Sequence, residues 1–319
     1  MLAADPAGTI TAVWHLLDGS AASVWTNQYE SGRGWDRAEQ ISTSPESSYP
    51  SVAASDSGAV HTVWIRPSSV WSNHYTPADG WGAEVQVESG AGPVWTDVTA
   101  WANQAIAVYN LGAEVHWSMW TDGDGWSTPL ALAPGSTPRV ASNGEGVVFA
   151  VWVDSGNVWA TRRVGASGWE SPVALSTATT LTPGSPVVVV DRFGGAHVIW
   201  AQCRGTRCSA YTNRYDPDVG WQEARDLSTV DVSIAVGNVA LALDEDGNGI
   251  ATFSTRPGED PVRWTVRYSA ETGWGPATPP AGLPNAFGGR VAMDASGRAI
   301  AVWHQPGAVE WTIWASRFE

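Results

Sequence analysis

Few residues of this chain have types and spacings that could do chemistry, and most of them stand apart from one another. Cys203 and Cys208 lie in the stretch CRGTRC. Two thiols do not make a tetrahedral zinc site, and a redox CxxC needs a shorter spacing and a helix. The expected use is a disulfide that staples the loop, which implies an oxidising compartment. Asp244, Asp246 and Asn248, in DEDGNG, match the first half of a calcium loop, but Thr255 stands where the bidentate Glu belongs. The same residues read as a hairpin turn. The six histidines, at 15, 61, 74, 116, 197 and 304, form no close pair of metal-ligand spacing. The sequence thus assigns no catalytic residue, no metal and no cofactor.

Tryptophan is the anomaly, with 21 residues against 5 Phe and 7 Tyr. A Trp can bury roughly 150–250 Å² of surface, so these rings could supply much of a core; an exposed ring would instead be a platform for stacking a sugar. Seventeen of them recur at three positions of one unit. In each copy a turn residue precedes an aromatic by six positions: Gly8/Trp14, Gly58/Trp64, Asn103/Tyr109, Gly146/Trp152, Gly194/Trp200, Gly247/Phe253 and Gly297/Trp303. A second aromatic follows at Trp25, Trp71, Trp117, Trp159, Tyr211, Trp264 and Trp314, with copy 3 one residue short. Gly-Trp then opens a further segment at Trp35, Trp81, Trp126, Trp169, Trp221 and Trp274.

Those elements must be strands. The runs are short, β-branched or aromatic, and bounded by Gly, Pro, Ser and Asp. Asp stands three before the turn glycine at Asp5, Asp191, Asp244 and Asp294, which suits a turn with positive φ at Gly. Seven copies spaced 43 to 53 residues apart predict one domain over residues 1–319, an all-β, seven-bladed β-propeller with mostly four-stranded antiparallel blades. Seven copies share six Gly-Trp segments, so the last blade is expected to have three strands, leaving Trp311–Phe318 as an edge.

Val291–Phe318, VAMDASGRAIAVWHQPGAVEWTIWASRF, together with Tyr29–Trp35 and Tyr215–Trp221, resembles a Trp-rich repeat of bacterial exported proteins, VAMDxxGNAxAVWxQ…IWANRYxxGxGW. The resemblance covers essentially the whole chain and implies an exported β-propeller without implying an activity. More loosely, the chain is similar to bacterial seven-bladed propeller lectins, whose motifs differ. Ser55–Trp64, SDSGAVHTVW, resembles the Asp box of sialidases, but its order departs from S-x-D-x-G-x-T-W, and no Arg cluster, Tyr nucleophile and Glu partner are singled out by spacing.

Trp95, Trp101, Trp120 and Trp311 fall outside the repeat. Trp95, in the loop entering blade 3, and Trp311, between the second and third strands of blade 7, belong to loop classes that share the top face of a propeller. His15 and His304 each follow the aromatic that ends a second strand. Loops between the two aromatics are longer in blades 5, 6, 7 and 1 than in blades 2, 3 and 4, and function collects on such loops. The expected ligand-binding residues are Trp311, Trp95, His15, His304 and Trp25.

The net charge of −15, with every basic residue an Arg, argues against nucleic acid and anionic membrane as partners. No apolar run approaches the length of a membrane span, and the start MLAADPAGT has no basic and apolar leader. The expectation is a secreted or cell-surface binding module for a glycan. A protein-interaction or structural propeller and a sialidase-like glycoside hydrolase are the alternatives.

Overall fold

The computed structural model describes residues 1–90, 92–176, 183–184, 186–204, 207–227, 233–234, 239–256, 262–278, 287–294, 296–306 and 310–318. These residues form seven antiparallel sheets and no helix. The fold class is the all-β, seven-bladed β-propeller that the repeat predicts, and the last blade is three-stranded. The chain forms two compact units, Met1–Trp152 with Arg163–Gly168, and Val153–Arg162 with Trp169–Glu319.

Sheet 1 sets the pattern. Its strands are Leu2–Ala4, Ile10–Asp18 and Ala21–Glu30, followed by a fourth strand broken into Gly34–Trp35 and Glu39–Gln40. The break is a bulge: Asp36 N–H returns to Gln28 O at 2.8 Å before Glu39 rejoins opposite Thr26. Among the described residues sheet 7 holds Phe287–Met293, Ala299–Pro306 and Trp311–Phe318.

The Asp-x-x-Gly turns behave as their chemistry requires. Asp244 Oδ1 accepts the N–H groups of Asp246 and Asn248, Oδ2 accepts the Asn248 amide, and Gly247 sits at φ 78°. Asp191 and Asp294 cap their own turns in the same way. Each carboxylate is thereby committed to backbone that a tight turn leaves unsatisfied.

The register corrects two sequence readings. Trp14 faces Trp25, Trp64 faces Trp71, Trp200 faces Tyr211 and Trp303 faces Trp314 across the hairpins. In sheet 3 the equivalent partner of Tyr109 is His116, and Trp120 then pairs with Trp126 as Tyr29 pairs with Trp35. Copy 3 therefore lacks no residue. Trp120 is a repeat residue and Trp117 is displaced by one, onto the opposite face of the strand. The long loops are also different from expectation. In sheet 1 the ladder runs past the aromatic pair to Asp18 and Ala21, and in sheet 2 it ends at Arg66 and Ser69. In sheets 1 and 5 the extra residues lengthen the hairpin instead of raising a loop, whereas the sheet 6 ladder ends at Thr255 and Val262, no farther past its aromatic pair than in sheet 2.

The second-strand aromatics are core except Trp14, which is half-buried. Trp64, Trp152, Trp200, Tyr109 and Phe253 are all under 2% exposed. In the first unit Trp64 packs with Val13, Val24, Ile41, Val52 and Val60, so sheet 1 buries its face on sheet 2. Large apolar side chains so buried contribute roughly 1.5–3 kcal/mol each. Polar pins add register: Asp97 accepts from Ser51 Oγ at 2.7 Å and from Val140 N–H at 3.1 Å, tying the first strands of sheets 2, 3 and 4.

Candidate functional site

The predicted binding residues fall in both units. In the second, Trp311 opens the third strand of sheet 7, opposite Pro306, and is 59% exposed. The exposed His304 holds it edge-on, with ring centroids 5.0 Å apart and planes at 68°. That geometry fixes the indole while leaving a face to solvent. Trp314, 45% exposed, lies on the same strand and donates Nε1–H to Thr312 Oγ1 at 2.9 Å.

In the first unit His15 packs on the exposed Tyr49, centroids 5.5 Å apart. Trp25 is half-buried opposite Trp14, its Nε1–H given to Ser23 Oγ. Trp95 lies within the first strand of sheet 3, at a register shift, and not in a loop. The Arg139 guanidinium stands 5.4 Å from its ring centroid, and the ring is half-buried. Of the other Trp residues outside the expected repeat, Trp101 is core and Trp120 packs against His61 and His74.

The opposite ends of the blades hold clefts that the sequence reading did not single out. Between the turns of sheets 6 and 7 a cavity of about 490 Å³ is lined by Asp246, Asn248, Arg267, Tyr268, Thr272 and Ser296, among others. A smaller one, about 100 Å³, lies between sheets 1 and 2 against Asp5, Gln28, Glu30 and Tyr75. Asp246 is paired to Arg192 at 3.0 Å, and Arg267 Nη1 donates to Gly297 O at 3.4 Å. The signal was present in the Asp-x-x-Gly turns, two of which, at Asp5 and Asp244, line these clefts.

Two histidines are sealed between blades. His61 stacks on His74 at 4.4 Å and meets Trp120 edge-on. His197 meets Tyr268 edge-on at 4.4 Å. Burial, then the neighbouring His74, push His61 down to about 3; burial, then Arg214, push His197 down to about 3. Neutral imidazoles in these places are packing groups. Among the described residues no group of three or more His, Cys, Asp or Glu could hold a metal ion.

Cys203 and Cys208 stand opposite one another across the Ala196–Arg204 and Arg207–Asp216 hairpin. The side chain of Cys203 lies outside the described residues.

No protein family matches the chain, and no curated protein matches it. Among solved structures the chain is similar to an ulvan lyase of a new polysaccharide lyase family, at 10% identity over 94% of this chain and 90% of that one, TM-score 0.62. It is similar to the six-bladed, fucose-recognising lectin of Aleuria aurantia, at 13% identity over 88% and 96%, TM-score 0.51. It is also similar to the NanB sialidase of Streptococcus pneumoniae, at 9% identity over 97% of this chain and 65% of that one, TM-score 0.51. At these identities the likeness is one of fold. The class defined is a β-propeller whose structural neighbours include both lectins and carbohydrate-active enzymes.

Proposed function

We propose that this chain is a non-catalytic carbohydrate-binding module of an exported bacterial protein. The observation that carries the reading is Trp311, an indole 59% exposed and braced edge-on by His304. An aromatic side chain held rigid at the surface meets the C–H face of a pyranose at little entropic cost. Trp95, His15 and Trp25 are proposed as further contacts. Secretion, and a Cys203–Cys208 bridge suited to an oxidising compartment, belong to the same proposal.

A glycan array screened with the whole chain tests it, with lyase and sialidase substrates run beside the array. The expected result is saturable binding to a glycan with no product formed. Trp311→Ala should weaken that binding by about 1–3 kcal/mol, as an aromatic hot spot does, and leave the melting temperature nearly unchanged. Arg267→Ala serves as the control in the turn-end cleft. A loss confined to Arg267→Ala would move the site there, and turnover of any substrate would replace the reading with an enzyme.

A further inference from the structure

Six sheets close their outer edge in one way. A Gly-Trp pair folds back on the third strand, and in four sheets the Trp packs on a Tyr: Tyr29–Trp35, Tyr75–Trp81, Tyr215–Trp221 and Tyr268–Trp274, centroids 5.2–5.5 Å apart. The residue after the Trp then donates its N–H to the third strand. These bonds are Asp36 to Gln28 O, Gly82 to His74 O, Ser127 to Met119 O, Glu170 to Arg162 O, Gln222 to Arg214 O and Gly275 to Arg267 O, all at 2.7–2.9 Å. Further on, the N–H groups of Ile41, Leu175 and Leu227 reach Val24, Val158 and Ala210 O. Ser42 and Ser176 Oγ accept the N–H of Val24 and Val158 in return. The edge-covering strand is thus a nine-residue motif, Gly-Trp-x5-apolar-Ser, as in GWDRAEQIS at 34–42 and GWESPVALS at 168–176.

Sheet 7 presents the receiving half of this arrangement. Its third strand, Trp311–Phe318, pairs with Ala299–Pro306 and is the sheet's outer strand. Matching Trp303–Trp314 to Trp14–Trp25 puts Arg317 in the place of Gln28, Phe318 in that of Tyr29 and Ile313 in that of Val24. Val24, Val70, Val158 and Ala210 are 0% exposed at this position, and Ile313 is 84% exposed. In the other sheets part of the cover is the motif's own apolar residue, since Val24 clusters with Ile41, Val70 with Val87 and Ala210 with Leu227.

We propose that the Trp311–Phe318 edge is a docking site for an extended peptide of the Gly-Trp-x5-apolar-Ser class, added as an antiparallel fourth strand. The peptide Trp packs on Phe318, the next N–H bonds Arg317 O, the apolar residue covers Ile313, and the Ser hydroxyl accepts the Ile313 N–H. Main-chain bonds supply affinity and the two side-chain contacts supply selectivity. An open edge takes strands readily, and here the three of the chain's six Gly-Trp segments that carry the whole motif, at 34–42, 168–176 and 220–228, define which strand fits. This site is independent of the glycan reading, because its contacts are the backbone, Phe318 and Ile313 rather than the Trp311 face.

The test is fluorescence anisotropy of a labelled peptide with the sequence of residues 34–42, titrated with the whole chain. Saturable one-to-one binding is expected, and the peptide carrying Trp35→Ala should bind about tenfold more weakly or worse. Ala315→Pro in the chain lies between Ile313 and Arg317 on the outward-bonding side of the strand. It removes an amide that the inner ladder does not use, so the fold should survive and the peptide should no longer bind. Should Ala315→Pro fail to fold, Ile313→Asp and the Trp35→Ala peptide decide the matter. No saturable binding, equal affinity for the Trp35→Ala peptide, or a chain dimer that blocks the peptide would each overturn the proposal.

Discussion

His61 and His197 occupy one position in two different blades, three residues after the turn glycines Gly58 and Gly194. Both are buried to 1% exposure, and both have pKa values lowered to about 3, chiefly by burial. The sign of the consequence follows. The unfolded chain takes up these protons below about pH 6.5, and the folded chain does not until about pH 3, so stability falls as pH drops through that window. Each histidine contributes a slope of about 1.4 kcal/mol per pH unit. Denaturant titrations across the window should show this loss, and His197→Gln should reduce the slope by about 1.4 kcal/mol per pH unit. An unchanged slope in that variant would mean that His197 is solvated and charged in the folded state. Neither role was legible in the sequence, because the rings that seal these histidines, Trp120 and Tyr268, come from the following blade, some fifty or more residues on.

At the scale of the element, strands and turns were read well wherever a glycine or an aromatic marked them. The Asp-x-x-Gly turns stand where their spacing put them, and so do five of the six Gly-Trp strands; in sheet 4 the fourth strand is Val173–Ala174, beyond Gly168–Trp169. Sheet 3 was misphased because its third strand carries His116 at the usual aromatic position and a Trp beside it, so the residue type pointed to the wrong neighbour. Hairpin length was misread for another reason. A stretch between two aromatics can continue the ladder or leave it, and composition does not separate the two. The Cys203/Cys208 hairpin shows what the longer ladder permits. Directly opposed residues on antiparallel strands have Cα atoms about 4.5–5.5 Å apart, within the reach of a disulfide. Air-exposed protein should therefore resist alkylation by iodoacetamide until it is reduced. Reduction should cost at most about 2 kcal/mol, since the closed loop is short. Two thiols alkylated without reductant would remove the bridge and, with it, the sequence argument for an oxidising compartment.

Across the whole molecule the excess of acid is the feature that no local contact explains. The chain carries 32 acidic residues and 17 arginines, a net charge of −15. Several of its ion pairs are exposed, including Arg33 with Glu30 and Asp36, Arg192 with Asp246 and Arg298 with Asp294. Exposed pairs of this kind contribute about 0–1 kcal/mol each and are weakened by salt. The Arg66–Glu84 pair differs, being only 10% and 9% exposed and bound further by Ser47 and Thr43, so salt should hardly reach it. Two salt effects thus oppose one another: screening removes weak attractions and also removes the mutual repulsion of the unmatched carboxylates, which disfavours the compact state. The repulsion acts over the whole surface, and at low ionic strength its range is about 30 Å, falling to about 8 Å at physiological salt. It should win. Raising sodium chloride from about 10 mM to about 150 mM near neutral pH should raise the melting temperature by a few degrees. Sucrose at matched osmolality controls for exclusion from the surface. A melting temperature that falls with salt would show that the surface pairs outweigh the net charge, and the acidic excess would then need a binding partner to account for it.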